Sequence, residues 1–368
     1  MSKILDRARA HIRGLQAYPP GKPIAELERE LGISGAIKLG SNESPLGPSP
    51  RALEAVVDGL RELNRYPDGS CYYIREALAK RLGVSGEHLL FGAGSDELLE
   101  MFVKVFVDPG DEVVFFWPSF AMYPIVTQGM GGVARSVELS APFELDVARL
   151  LEAVNQRTKL VFIANPNNPT GTSIGDLELE TLLSGMPAEA IVVLDEAYVE
   201  YVRRPDRART LERLRDRHNL VSLRTFSKIY GLAGLRIGYA VGSPELIEVM
   251  ERARHPFNVS SVAQAAALAA LEDEGHVNAV RELTHDGLEQ LESGLQALGL
   301  ECIPSDANFV LVNVGQDGVE LDRRLQRRGV IARSLRPFGL THYLRVTAGL
   351  PDENARFLET LREELEAS

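Results

Sequence analysis

Four short runs, Glu112–Phe116, Leu160–Ala164, Ile191–Asp195 and Leu220–Arg224, constrain the fold most, because they are mostly β-branched or aromatic and do not alternate polar with apolar residues. A strand with one wet face must alternate. A short unbroken apolar run therefore fits a strand covered on both faces, as in a parallel sheet. Helical segments precede these runs over Arg51–Leu63, Tyr72–Leu82 and Ser95–Val107, the last ended by Asp108-Pro109-Gly110, and His88–Phe91 reads as one more short strand. Strands alternating with helices predict an α/β fold with a large, doubly wound, mostly parallel sheet. Near residue 250 the texture changes. Ser261–Leu271 is an Ala-rich helix and Val277–Leu298 a long amphipathic one; strands follow at Phe309–Val314, Val330–Ala332 and Tyr343–Thr347, with a closing helix over Pro351–Ala367. That order predicts a smaller α+β domain. Residues 1–50 carry YPPGKP at 18–23 and SPLGPSP at 44–50, and read as an extended arm with little regular structure of its own. The expected division is an arm over 1–50 packing on the small domain, a large domain over 51–252 and a small C-terminal domain over 253–368.

Bulk properties narrow the function. The chain has 368 residues, 45% hydrophobic and 25% charged, and a formal net charge of -12. Phosphate backbones need clustered Lys and Arg, so this charge argues against nucleic acid as a partner. One or two local arginines would still serve a small phosphorylated ligand. Two distant cysteines, Cys71 and Cys302, fit neither a disulfide framework nor a metal site, and suit a reducing cytoplasm. The start, MSKILDRARAHIRG, is too charged for a signal peptide, and no apolar run reaches the ~20 residues of a membrane span. A cytoplasmic protein with no membrane contact is the expectation.

The informative residues stand at strand ends, where open α/β sheets hold ligands. The buried run Ile191–Leu194 ends in Asp195, followed by Glu196-Ala197-Tyr198. The next run, Leu220–Arg224, ends in Thr225-Phe226-Ser227-Lys228, then a Gly-rich turn and Arg236. Alone, Asp195 could cap a helix and Lys228 could be a solvated charge. Together, a carboxylate, an amine and a guanidinium are what an aromatic cationic cofactor with a phosphate tail requires. Gly94-Ser95-Asp96 opens a helix directly after a strand, so free N–H groups and the helix dipole converge on an anion there. Thr225 and Ser227 offer hydroxyls and Arg236 a bidentate guanidinium to the same anion. The run Gly92-Ala93-Gly94-Ser95-Asp96-Glu97 has Glu97 where a dinucleotide fingerprint needs its third glycine, which weakens a nicotinamide reading that would also leave Lys228 without a task.

With NPNNPTG at 165–171, DEAY at 195–198, TFSK at 225–228, GLAGLRIGYA at 231–240, ANF at 307–309 and LRVT at 344–347, the chain resembles the fold-type I, class-II pyridoxal-phosphate aminotransferases. Within them it is most similar to the histidinol-phosphate aminotransferase branch, over almost its whole length. The resemblance implies pyridoxal 5'-phosphate held by Lys228 as a Schiff base, with the freed amine later shuttling a proton. It implies that Asp195 keeps the ring nitrogen protonated, that Tyr198 and Asn168 bond the ring hydroxyl, and that Phe120 stacks on the ring. Tyr66 would reach the cofactor phosphate of a neighbouring subunit, which makes the expected assembly a homodimer with shared active sites. Arg345 would grip the carboxylate of the glutamate/2-oxoglutarate partner. Arg333 would read a substrate phosphate, with Tyr18 and Asn42 nearby. Aromatic-amino-acid aminotransferases share most of these segments, so phenylalanine or tyrosine remains an alternative donor to histidinol phosphate. A phosphoamino-acid decarboxylase of the same fold would use the same Lys228 and Asp195, although the arm sequence disfavours it. A non-catalytic sensor would need an added DNA-binding segment, which this acidic chain does not offer. The loop 334–341 is atypical for the branch, and Arg336 in it could add a cation or face solvent.

Overall fold

A computed structural model describes residues 4–367, so Met1–Lys3 of the expected arm and Ser368 lie outside the described residues. Eight strands build the arm's short pairing and the main sheet: β1 (Ile37–Lys38), β2 (Leu89–Gly92), β3 (Glu112–Trp117), β4 (Val133–Glu138), β5 (Thr158–Ala164), β6 (Ile191–Asp195), β7 (Leu220–Thr225) and β8 (Gly238–Val241). Seven of them form one sheet in the order β2-β8-β7-β6-β5-β3-β4. Neighbours from β7 to β4 are parallel, whereas β8 runs antiparallel to both β7 and β2. The apolar runs behave as their pattern requires, because both faces are covered. Val114, Phe116, Val161, Ile163, Val192 and Leu194 enter one core, while Val113, Phe115, Leu160, Phe162 and Val193 enter the core on the opposite face. Because chain order runs outward in both directions from the boundary between β5 and β3, the carboxyl ends there open onto a crevice, the usual place for a ligand.

The second lobe holds β9 (Glu301–Ile303), β10 (Phe309–Asn313), β11 (Val330–Ile331), β12 (Arg333–Leu335) and β13 (Leu340–Thr347). Four of these form an antiparallel sheet in the order β12-β13-β10-β9. The helices Gly318–Arg327 and Pro351–Glu366 and the later part of Glu274–Ala297 pack around a core of Leu288, Leu291, Val310, Val312, Leu344, Val346 and Phe357. The expected break at 252/253 does not coincide with the change of core. Helix Ser261–Leu271 packs against Pro50–Gly59 and Tyr72–Leu82, and its alanines share the main-sheet core with Val277 and Val280. The long helix Glu274–Ala297 thus begins in one core and ends in the other.

The arm is more regular than its prolines suggest. It contains helices Ala10–Arg13 and Ile24–Leu31 and the strand β1, which pairs in parallel with β11. Helix Ile24–Leu31 forms because Leu27 can be buried against Ala36 and Ile331, and it stops at Gly32 with φ 65°. The segment near His11 and Leu15 lies against Gly131 and Gly129 of the large lobe, so the arm touches both lobes. Among the described residues, no helix is long and apolar enough to cross a membrane.

Candidate active site

Every candidate residue except Gly94 and Tyr66 lines one cavity of about 290 Å³ at the carboxyl ends of β3, β5, β6 and β7, closed from the other side by the second lobe and by Tyr18 and Gly21 of the arm. Asp195 ends β6 at its floor and is 5% exposed. The Tyr123 hydroxyl donates to one carboxylate oxygen at 3.0 Å, and the Ala197 N–H reaches the other at 3.3 Å. Burial pushes the Asp195 carboxyl up to about 7, against the pull of the Tyr123 hydrogen bond, the Ala197 N–H and the Lys228 charge; Asp96 adds to the rise. Burial, and then the Asp195 charge, raise the Tyr123 hydroxyl well above its ordinary value, so it stays a donor. A carboxylate buried this way demands a cation.

Lys228 follows β7 at the rim, with Nζ 5.6 Å from the centre of the Tyr198 ring. That ring packs edge-on against Phe309, and its hydroxyl accepts from Asn42 Nδ2 at 2.9 Å. Asn42, expected at the substrate, lines the cavity, and its Oδ1 accepts from the Thr347 hydroxyl at 3.0 Å. Phe120 lies beyond the end of β3 and meets Tyr123 edge to face at 5.7 Å. Ser119 and Pro118 hold that turn by bonding to Asn167, at 2.7 Å and 3.1 Å.

One end of the cavity is an anion cradle. Helix Ser95–Phe106 begins there with no side-chain cap, leaving its first N–H groups open. Arg236 points its guanidinium at the same spot, donating to Asp96 at 3.3 Å and to the Ala233 carbonyl at 3.0 Å. Gly94 does not line the cavity but makes the approach possible: its φ is 84°, and a Cβ there would lie 2.5 Å from Arg236 Nη2. Thr225 serves the turn itself, its hydroxyl accepting from the Ser227 N–H at 3.1 Å.

The opposite end carries two more cations. Arg345 on β13 donates to Asn168 Oδ1 at 2.6 Å and to the Gly40 carbonyl at 2.8 Å, while its buried Nε has no hydrogen-bond partner. Burial, with Arg333 adding repulsion, lowers its affinity for its proton. Arg333 donates to the carbonyls of Pro19 and Pro20, at 2.8 Å and 3.3 Å, so the arm fixes it at the mouth. Tyr66 lies apart, 84% exposed and stacked on Phe257 at 4.9 Å. Arg336 is bonded to Asp317 and is not a lining residue.

The sequence reading missed Tyr123, the partner of the central carboxylate, and Thr347, which anchors Asn42. Both contacts join segments far apart in sequence, and no local motif announces them. The set as assembled can take a flat aromatic group with a protonated ring nitrogen over Asp195, a phosphate at Arg236 and a second anion between Arg345 and Arg333.

Comparison with known proteins gives the family. Residues 34–361 match the family model described as aminotransferase class I and II. The chain is 47% identical over 358 residues, 97% of its length and 92% of the relative's, to the histidinol-phosphate aminotransferase of Moorella thermoacetica. It is 47% identical over 359 residues, 98% of its length and 97% of the relative's, to histidinol-phosphate aminotransferase 1 of Nitrosococcus oceani. A crystal structure of the Sinorhizobium meliloti histidinol-phosphate aminotransferase in complex with pyridoxal-5'-phosphate superposes with a TM-score of 0.89 at 31% identity, covering 98% of both chains. The chain belongs to the class I and II aminotransferases.

Proposed function

We propose that the chain is a pyridoxal-phosphate-dependent aminotransferase that moves the amino group of L-histidinol phosphate to 2-oxoglutarate, giving imidazole-acetol phosphate and glutamate, as a cytoplasmic homodimer in histidine biosynthesis. The observation that carries this reading is the placement of three arginines around one cavity, Arg236 at one end and Arg345 with Arg333 at the other. An enzyme for plain amino acids needs a cation for the cofactor phosphate and one for a carboxylate. A third suits a donor that brings a phosphate in place of a carboxylate.

The residues fit the cofactor. Asp195 offers the buried carboxylate that a ring cation would neutralise, Gly94 leaves the space that Arg236 occupies, and the open helix start faces the phosphate position. When bound, pyridoxal phosphate supplies a cationic conjugated ring that withdraws electron density from the carbon bearing the amine. Asp195 would hold its ring nitrogen protonated, Tyr198 and Asn168 would bond its ring hydroxyl, and Phe120 would lie against it. Lys228 Nζ would carry the proton. Arg345 and Arg333 orient the substrate anions, and the arm at Tyr18 excludes water from the mouth.

The homodimer is supported by an exposed apolar face. Leu53, Val57, Leu60 and Leu63 follow one side of the helical stretch from Pro50 to Glu62 and its continuation, and all are exposed. Tyr66, 84% exposed, follows shortly after Leu63 in the chain. Contiguous apolar surface of this kind marks an interaction site.

The deciding experiment mixes the purified protein with histidinol phosphate, phenylalanine or tyrosine and follows loss of the visible absorption band of the lysine-bound cofactor. Preference for histidinol phosphate of at least about a hundredfold, some 2.7 kcal/mol, is the expected result. Equal consumption by an aromatic donor would reassign the substrate. A colourless protein that ignores added pyridoxal phosphate would remove the enzyme reading.

A further inference from the structure

Trp117 ends β3 and is the sole tryptophan of the chain. It borders two cores at once. With Phe120 and Met122 it flanks the core on one face of the main sheet, and with Phe143 and Tyr343 it closes a satellite core of Ile303, Leu311, Leu335 and Phe338 in the second lobe. The Phe338 ring is buried and stacks on the indole, with centroids 5.7 Å apart and planes 25° from parallel. Phe338 stands in the turn Arg336–Phe338 that joins β12 to β13, the strands carrying Arg333 and Arg345, which face each other in register. On the large-lobe side, the turn after Trp117 carries Phe120 and is bonded to Asn167, whose neighbour Asn168 accepts from Arg345. Along β13 the lobes meet through a buried polar contact near its end, the edge-on Phe143–Tyr343 pair within it, and the aromatic stack just before its start.

We propose that Phe338 is a positioning residue for substrate recognition: its stack on Trp117 seats the β12–β13 hairpin so that Arg333 and Arg345 stand at working distance over the cavity. This assigns a task to the atypical 334–341 loop, whose arginine is otherwise engaged with Asp317. The substrate part rests on the reading of Arg333 and Arg345 as anion ligands; the contact itself does not. Without the stack the hairpin can recede. Substrate then binds more weakly, while proton transfer at Lys228 is unaffected once substrate is in place.

Phe338→Leu keeps an apolar side chain and removes the ring, and Phe338→Tyr restores one. With cofactor saturating, Phe338→Leu is expected to raise the apparent KM for histidinol phosphate and for 2-oxoglutarate by about three- to tenfold, in line with the loss of an aromatic pair. Its kcat should stay within about twofold, and Phe338→Tyr should recover the KM. Trp117 emission should shift to the red in Phe338→Leu, because the indole gains water. Unchanged KM for both substrates, or a fall in kcat alone, would overturn the proposal. Were the wild type not to turn over histidinol phosphate at all, the functional reading would fail instead, and an emission maximum unmoved by Phe338→Leu would then dispose of the contact separately.

Discussion

Gly94 shows how much one missing Cβ does. Alanine at its φ of 84° and ψ of 168°, a region essentially reserved for glycine, would cost about 1–3 kcal/mol and would displace the guanidinium of Arg236 from 2.5 Å away. Gly94→Ala is expected to weaken pyridoxal phosphate binding by at least about tenfold, roughly 1.4 kcal/mol, in an equilibrium titration of the cofactor-free protein. Affinity unchanged within error would mean that the cradle tolerates the methyl group. Asp195 makes a different prediction through its proton. Its carboxyl titrates near 7 in the folded, cofactor-free chain against 3.8 as an ordinary aspartate. Between those values the folded form keeps a proton that the unfolded form has lost, so stability falls as pH rises through this window and the full penalty is present above about 7. Asparagine has no charge to bury and can still accept from Tyr123. Asp195→Asn should therefore raise the melting temperature of the cofactor-free protein at pH 8 and leave it nearly unchanged at pH 4. A shift of equal size at both pH values would show that the carboxyl's charge is not the source.

The ends of β6 and β7 carry Asp195 and the Thr225–Lys228 turn, and a buried ion pair ties them together. Glu196, 1% exposed, accepts from Arg224 at 2.9 Å and 3.0 Å, from Thr210 at 2.6 Å and from Ser222. Removing one member leaves a buried charge without its partner, so Glu196→Ala should cost about 3–5 kcal/mol in urea unfolding. A loss below about 1 kcal/mol would mean that water replaces the carboxylate. These strands were legible in the sequence because both faces are dry, which leaves an unbroken apolar run. The same reasoning explains what was not legible. The edge strand β4 is mostly exposed along VARSVE, so its composition carries no strand signal. The four residues of β8 hide in a glycine-rich turn, where Gly238 is required because a Cβ would meet the Ser95 nitrogen at 2.7 Å. Helix Ile24–Leu31 is obscured by flanking prolines, although Leu27 marks its buried side. The motif residues at strand ends could be read as a set because the chemistry demands that set. The bonds Tyr123–Asp195 and Asn42–Tyr198 span 72 and 156 residues, and only the folded chain brings those partners together.

Assembly is where the exposed helix face and the distant Tyr66 become one argument. Val57 is 61% exposed and Tyr66 84% exposed in the single chain, yet both are large and carbon-rich, and Tyr66 stands outside its own chain's cavity. Pairing two chains through this face would bury that surface and could deliver each Tyr66 to the partner's cofactor phosphate. Val57→Asp should then shift the sedimentation coefficient toward the monomer and lower cofactor affinity together, because the second effect follows from the first. The sharper test uses hybrids. Lys228→Ala chains lack the amine and should be inactive; Tyr66→Phe chains should be impaired at limiting cofactor. In a mixed dimer with shared sites, one cavity combines an intact Lys228 with an intact Tyr66 from the other chain, and the second cavity holds both lesions. Unfolding and refolding the two variants together should therefore give activity at limiting cofactor above the sum of the two preparations refolded separately, approaching one competent site per hybrid. If each chain used its own Tyr66, every cavity would carry a lesion whatever its partner, and mixing would add nothing.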